Sequence, residues 1–160
     1  MPLEIDINIK DERWNDSLQD IHNQTQSIIS FVLSTQINAD IYMDISIVLA
    51  DNQFIQNLNK TYRGKDKPTN VLSFPQTDTI EEIAPPICSL GDVIIAYETI
   101  IAEALEQNKS PENHYTHMLV HGCLHLLHYD HETEDEAKIM ENLEIEILKK
   151  LDIKNPYAMQ

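Results

Sequence analysis

Residues 121 to 131 read HGCLHLLHYDH, and how that run is folded decides the kind of molecule this chain makes. His121 and His125 stand four apart, so on an α-helix their side chains share one face and can hold one metal ion. His131 lies six residues further on, beyond the helix. Tyr129 and Asp130 can form a turn that swings it back to the same point. Three protein ligands with a fourth position open is the arrangement of a catalytic zinc site, whereas structural sites are closed by four.

Working upstream, Ser110, Pro111 and Glu112 supply an N-cap, a first-turn proline and a first-turn acid. The metal-bearing helix is therefore expected over about 111–128. Six of the seven histidines lie between His114 and His131. At about 100° per residue, His114, His117, His121, His125 and His128 fall within roughly 80° of one another, an imidazole face. A solvated histidine face that binds metal adventitiously is the competing reading. Leu124, Leu126 and Leu127, interleaved with the ligands, argue against it, because a buried helix must satisfy its inward imidazoles. His114 and His117 are assigned no metal.

The spacing matches the metzincin frame H-E-x-x-H-x-x-G-x-x-H with two departures: Gly122 replaces the glutamate and His128 the helix-ending glycine. Without that glutamate a peptidase lacks its general base. Zinc still acidifies water, and such a site suits an electrophile that brings its own negative charge, a phosphodiester, if an arginine or lysine reaches it.

Downstream, Thr133 and Glu136 form a capping-box pattern before a helix whose Ala137, Met140, Leu143, Ile147 and Leu151 share one face. In the first half, Leu3, Ile5, Ile7 and Ile9 alternate as in a strand, and Asp16 to Val32 carries a helical stripe. DISIVLAD reads as a strand, followed by a short helix capped by Asp51 with Phe54, Ile55 and Leu58 inward. A polar loop then runs into a strand ending at Pro75. QTDTIEEIAPP reads as exposed loop, SLGDVIIAYE as a strand buried on both faces, Glu98 to Glu106 as a helix, and KNPYAMQ as loop. Strands come mostly early and helices mostly late, which favours α+β. A chain of 160 residues suits one domain, 1–160.

Composition narrows function. No apolar run approaches the roughly 20 residues of a membrane span, and MPLEIDINIK lacks a signal-peptide layout, so the expected compartment is the cytoplasm. Cys88 and Cys123, read as small buried hydrophobes, cannot build a disulfide framework. With 11 basic against 27 acidic residues the net charge is −16, which repels nucleic acid on average and demands a local basic patch. Lys60, Arg63, Lys65 and Lys67 are that patch, directly before TNVLSFP. Ordinary solvated lysines would look the same, yet the fork of Arg63 can clamp a phosphate and stabilise charge developing on its oxygens.

Together, YRGKDKPTNVLSFP, LGDVII, HMLVHGCLHLLHYDH and MENLEIEILKKLDIKNPY resemble the YbeY family of zinc-dependent endoribonucleases, in the family's order from about Tyr62 to Tyr157. The family's H-G-x-L-H-L-x-G-Y-D-H is met except at His128. The resemblance implies a zincin-like α+β fold, with a small mixed sheet packed with helices. It implies one Zn2+ per chain on His121, His125 and His131 and Arg63 as the functional arginine of the basic loop; Arg63 is taken as catalytic, and Lys65 and Lys67 beside it are the substrate-binding candidates of that loop. It further implies cleavage of single-stranded RNA, maturation of the 3′ end of small-subunit rRNA and ribosome quality control. The small subunit and assembly factors are then the expected partners, with neither membrane nor DNA among them. His128 is expected to take the left-handed conformation of the glycine it replaces, which histidine tolerates better than most residues. Ser73 and Asp92 are candidates for roles in the site or for strand-shaping residues beside it. Two other functions compete: a metzincin-like metalloprotease, with Met140 imitating its Met-turn, and a non-catalytic assembly factor stabilised by zinc.

Overall fold

A computed structural model describes residues 2–37 and 40–158. Its four strands are β1 (Leu3–Ile9), β2 (Tyr42–Ala50), β3 (Val71–Pro75) and β4 (Ile87–Ala96), in the sheet order β1-β2-β4-β3. β1 and β4 run parallel to β2, and β3 pairs antiparallel to β4 as an edge strand. The sheet is therefore mixed, and the α+β expectation holds.

Alternation along the strands divides the core between two faces. Ile45, Ile47, Leu49, Val93 and Ile95 look into the larger core, while Ala50, Leu72, Ile94 and Ala96 look into a smaller one. Helix α3 (Asn52–Arg63) closes the smaller core with Ile55. As expected, Asp51 caps it, the carboxylate accepting from Phe54 N–H at 2.8 Å. β4 is buried on both faces from Leu90 to Ala96 except at Asp92.

The larger core is covered by α2 (Ile21–Gln36), α4 (Tyr97–Glu106), α5 (Pro111–Leu126) and α6 (Glu134–Lys150). α5 lies centrally among them. Its expected cap is present, with Ser110 Oγ accepting from Asn113 N–H at 3.1 Å, and Thr133 Oγ1 likewise accepts from Glu136 N–H at the start of α6. Cys88 and Cys123 are buried free thiols, and burial pushes that of Cys123 up to about 12.

Two expectations need correction. The helical stripe from Asp16 to Val32 is interrupted: α1 (Arg13–Ser17) ends, Leu18 is extended, and Asp20 turns left-handed at φ 53° before α2 begins. The cause is long-range. Trp14 is fully buried and its Nε1–H donates to Ala50 O at 2.9 Å, pinning α1 to the end of β2, 36 residues away. Likewise α5 stops at Leu126, so His128 lies beyond the helix and not on its imidazole face. It adopts φ 72°, the left-handed turn expected of it. The expected terminal loop is seen to Ala158, and its last two residues lie outside the described ones.

What seats α5 on the sheet is Gly122. A Cβ there would stand 2.6 Å from Val93 Cγ1 and 3.3 Å from both Ser73 Oγ and Val71 Cγ2. Ser73 Oγ donates to Gly122 O at 3.0 Å, closing the contact. We expect Gly122→Ala to lower unfolding stability by about 1–3 kcal/mol through overpacking. Val93→Ala in the same chain should recover part of that loss in urea titrations, and additive losses would refute the packing account.

Candidate metal centre

His121 and His125 leave α5 one turn apart, and the turn through His128 returns His131 to them. One ligand nitrogen from each of the three lies within 4.8 Å of the others. The rings of His121 and His131 are 5.6 Å apart and those of His125 and His131 5.0 Å. His125 Nδ1 stands 2.9 Å from Tyr129 O. A carbonyl only accepts, so this nitrogen carries the proton and Nε2 the lone pair. His121 Nδ1 faces Glu144 Oε2 at 3.5 Å, which turns its Nε2 inward as well.

The two Nε2 atoms stand 3.0 Å apart. Two lone pairs so placed repel unless a cation lies between them. The separation approaches the roughly 3.3 Å that tetrahedral Zn–N bonds of about 2.0–2.1 Å require. Burial first, then His121 and His131, lowers the pKa of His125 to about 4 and keeps it neutral, the ligating form. The donor set fits a borderline metal ion that prefers nitrogen.

Behind the triad stands a carboxylate that sequence reading missed. Glu144, on α6, is 1% exposed and takes 2.6 Å and 3.0 Å contacts from His117 Nε2 and Tyr157 OH, besides the longer one from His121. Burial alone would raise its pKa, but the hydrogen bonds from His117 and His121 outweigh it and hold the carboxyl down to about 2. Burial keeps His117 below the usual imidazole range. His117 is thus a neutral donor to an ionised acid. The available signal was an acid within the apolar stripe, four residues after Met140 and three before Ile147. The other early imidazole, His114, is buried against Glu103 at 2.8 Å, and Glu103 also accepts from Asn70 Nδ2 at 3.0 Å. His114 and His117 are not among the three clustered residues.

The triad opens into a cleft of about 950 Å³ whose walls include Arg63, Lys65, Lys67, Ser73 and His128. The structure therefore brings Arg63, Lys65 and Lys67 to the cleft of the histidines, whereas Lys60 is not among its lining residues and lies 3.9 Å from Asp66. Arg63 reaches over the edge of the sheet, where Nη2 donates to Ser73 O at 2.9 Å and the guanidinium lies 5.5 Å from the centre of the Phe74 ring. Ser73 serves both sides: its hydroxyl holds α5 and its carbonyl holds Arg63. Asp92 does not line the cleft; burial raises its pKa against a hydrogen bond from Ser46. His128 does line it, with Nε2 2.7 Å from Thr77 Oγ1, and is not in the triad. Of the seven acids from Glu132 to Glu146, only Glu132 lines the cleft.

We expect Glu144→Gln to weaken metal binding roughly 10- to 100-fold, the usual cost of losing a ligand's carboxylate partner, as read by chelator competition. An unchanged metal affinity would remove Glu144 from the site. The carboxyl's folded value of about 2 lies below its ordinary 4.5, so its stabilisation is complete above about pH 5 and fades as pH falls towards 2. Acid unfolding of the metal-free protein should therefore be shallower over that range in Glu144→Gln.

A family model described as Endoribonuclease YbeY matches residues 6–152. The Endoribonuclease YbeY of Bartonella quintana is 42% identical over 156 residues, covering 98% of this chain and of its own. That of Paramagnetospirillum magneticum is 42% identical over 162 residues, covering 99% and 98%. That of Acinetobacter baumannii reaches 56% over 117 residues, or 71% and 73% of the two chains. A solution structure of a Thermotoga maritima protein superposes with a TM-score of 0.55 at 19% identity, covering 98% of this chain and 99% of that one, which shows the shared fold. With the histidine run in place on that fold, the chain belongs to the YbeY family of endoribonucleases.

Proposed function

We propose that this chain is a single-strand-specific, zinc-dependent endoribonuclease. In this reading residues 1–160 act as one domain in the cytoplasm. They mature the 3′ end of small-subunit rRNA and act in late ribosome quality control, with the small subunit and assembly factors as partners. The observation that supports it best is the convergence of His121, His125 and His131 with Arg63, Lys65 and Lys67 in one cleft.

His121, His125 and His131 would hold one Zn2+, which would supply Lewis-acid charge and acidify bound water. The chain's own residues do the rest. Tyr129 O and Glu144 fix the ring orientations of His125 and His121 before substrate arrives. Arg63 spends one N–H on Ser73 O, which aims its remaining donors at a phosphate in the cleft. Lys65 and Lys67 neutralise neighbouring phosphates. Glu103, lowered by its hydrogen bond from His114, stays ionised on the same wall, and with Asp130 and Glu132 it sets three acidic residues against the three basic ones, a balance that a bound dication would tip towards phosphate.

A peptidase fits this cleft poorly. The position of the metzincin glutamate is packed against Val93 and has no room for a side chain. An edge strand beside the metal would have to receive the peptide, yet Ser73 O already accepts from Arg63, and Pro75 has no N–H to offer.

Metal-loaded protein should cleave single-stranded but not duplex RNA, lose this activity to chelator and regain it with Zn2+. Arg63→Ala should lower kcat/KM by roughly 10²–10³, the cost of one transition-state donor. His121→Ala should lose both zinc and cleavage. Full cleavage in chelator, or by Arg63→Glu, would reject the assignment and trace the activity to a contaminating nuclease, leaving the chain as a non-catalytic factor. A 2′,3′-cyclic phosphate on the product would identify the ribose hydroxyl as nucleophile.

A further inference from the structure

Tyr62 is 66% exposed in the last turn of α3, immediately before Arg63. Its ring is nevertheless held in place. It meets Phe74 edge-on, with centroids 5.4 Å apart and planes at 65°, and the Arg63 guanidinium lies against the same Phe74 ring at 5.5 Å. Phe74 thus braces a tyrosine and an arginine side by side at the edge of the sheet. Arg63 lines the cleft; Tyr62 and Phe74 are not among its lining residues, so the tyrosine lies just outside it, linked to it through the shared contact with Arg63.

The chemistry of this pair selects its occupant. A ring two-thirds exposed offers solvent a π face, and a nucleobase is a flat π system carried next to a phosphate. Lys60, Arg63, Lys65 and Lys67 give the surroundings the positive charge that a polyanionic strand needs, on a chain of net charge −16. A duplex keeps its bases stacked inside and cannot offer one, whereas an unpaired strand can.

We propose that Tyr62 is a stacking seat for an unpaired nucleobase adjacent to the phosphate held by Arg63. Selection for single strands is then set just outside the cleft, apart from the metal triad. This rests on the endoribonuclease reading.

The test is stopped-flow fluorescence anisotropy on metal-loaded protein, which reads binding before turnover. It compares a labelled single-stranded RNA with the same sequence in a duplex. Tyr62→Leu keeps apolar bulk without a π face at an exposed position, and Tyr62→Phe keeps the ring. Single-strand affinity should fall roughly tenfold or more in Tyr62→Leu and stay near wild type in Tyr62→Phe, with duplex binding unchanged in both. An abasic ribose at the stacked position should weaken wild type by a similar factor and leave Tyr62→Leu unaffected. Wild-type single-strand affinity in Tyr62→Leu, equal loss for both RNA forms, or no RNA binding by wild type overturns the seat. Binding that follows this pattern without any cleavage would overturn the nuclease reading and leave the seat standing.

Discussion

The contact on which the site depends is the close approach of α5 to β3 and β4 at Gly122. With no Cβ, the helix lies low enough for Ser73 Oγ to reach its backbone carbonyl. That depth brings a helix-borne pair of imidazoles level with an edge strand. The carbonyl of the same serine anchors Arg63, so one residue ties the two walls of the cleft together. Neither wall would face the other if the helix rode higher.

Burying a helix rich in histidine is costly unless each ring finds a partner. Here the partners are two glutamates, one on each flanking helix. Glu103 on α4 takes His114, and Glu144 on α6 takes His117 and turns His121. The second network continues to Tyr157, joining the C-terminal segment to the support of a metal ligand. Among the described residues, the Nδ1 atoms of His114 and His117 meet no hydrogen-bond partner. The result is that two of the three ligand rings, those of His121 and His125, are oriented by the folded protein in advance.

The acidity of the chain bears unevenly on the cleft. Most of the acids from Glu132 to Glu146 stand outside the cleft, and exposed charges beyond about 8–10 Å are largely screened at physiological salt. The wall itself carries Arg63, Lys65 and Lys67 against Glu103, Asp130 and Glu132, so the charge there is nearly even despite the acidity of the chain, and a bound metal dication would tip it positive.

Much was legible in the chain alone, because the signals are local. Helix caps at Asp51, Ser110 and Thr133, alternation in β1, and the i, i+4 spacing of His121 and His125 depend on neighbours within a few residues. So does the left-handed turn at His128, which follows from its place in the motif. What the tertiary structure alone decided involves residues far apart in sequence: Trp14 reaching Ala50 and breaking the first helix, Glu144 folding back under His121, and Ser73 joining α5 to Arg63. Residue type and spacing name the ligands, since ligation needs only the right atoms on one face. Which carboxylate orients them, and how Arg63 is held facing them, is set by tertiary packing, where sequence separation carries no information about distance.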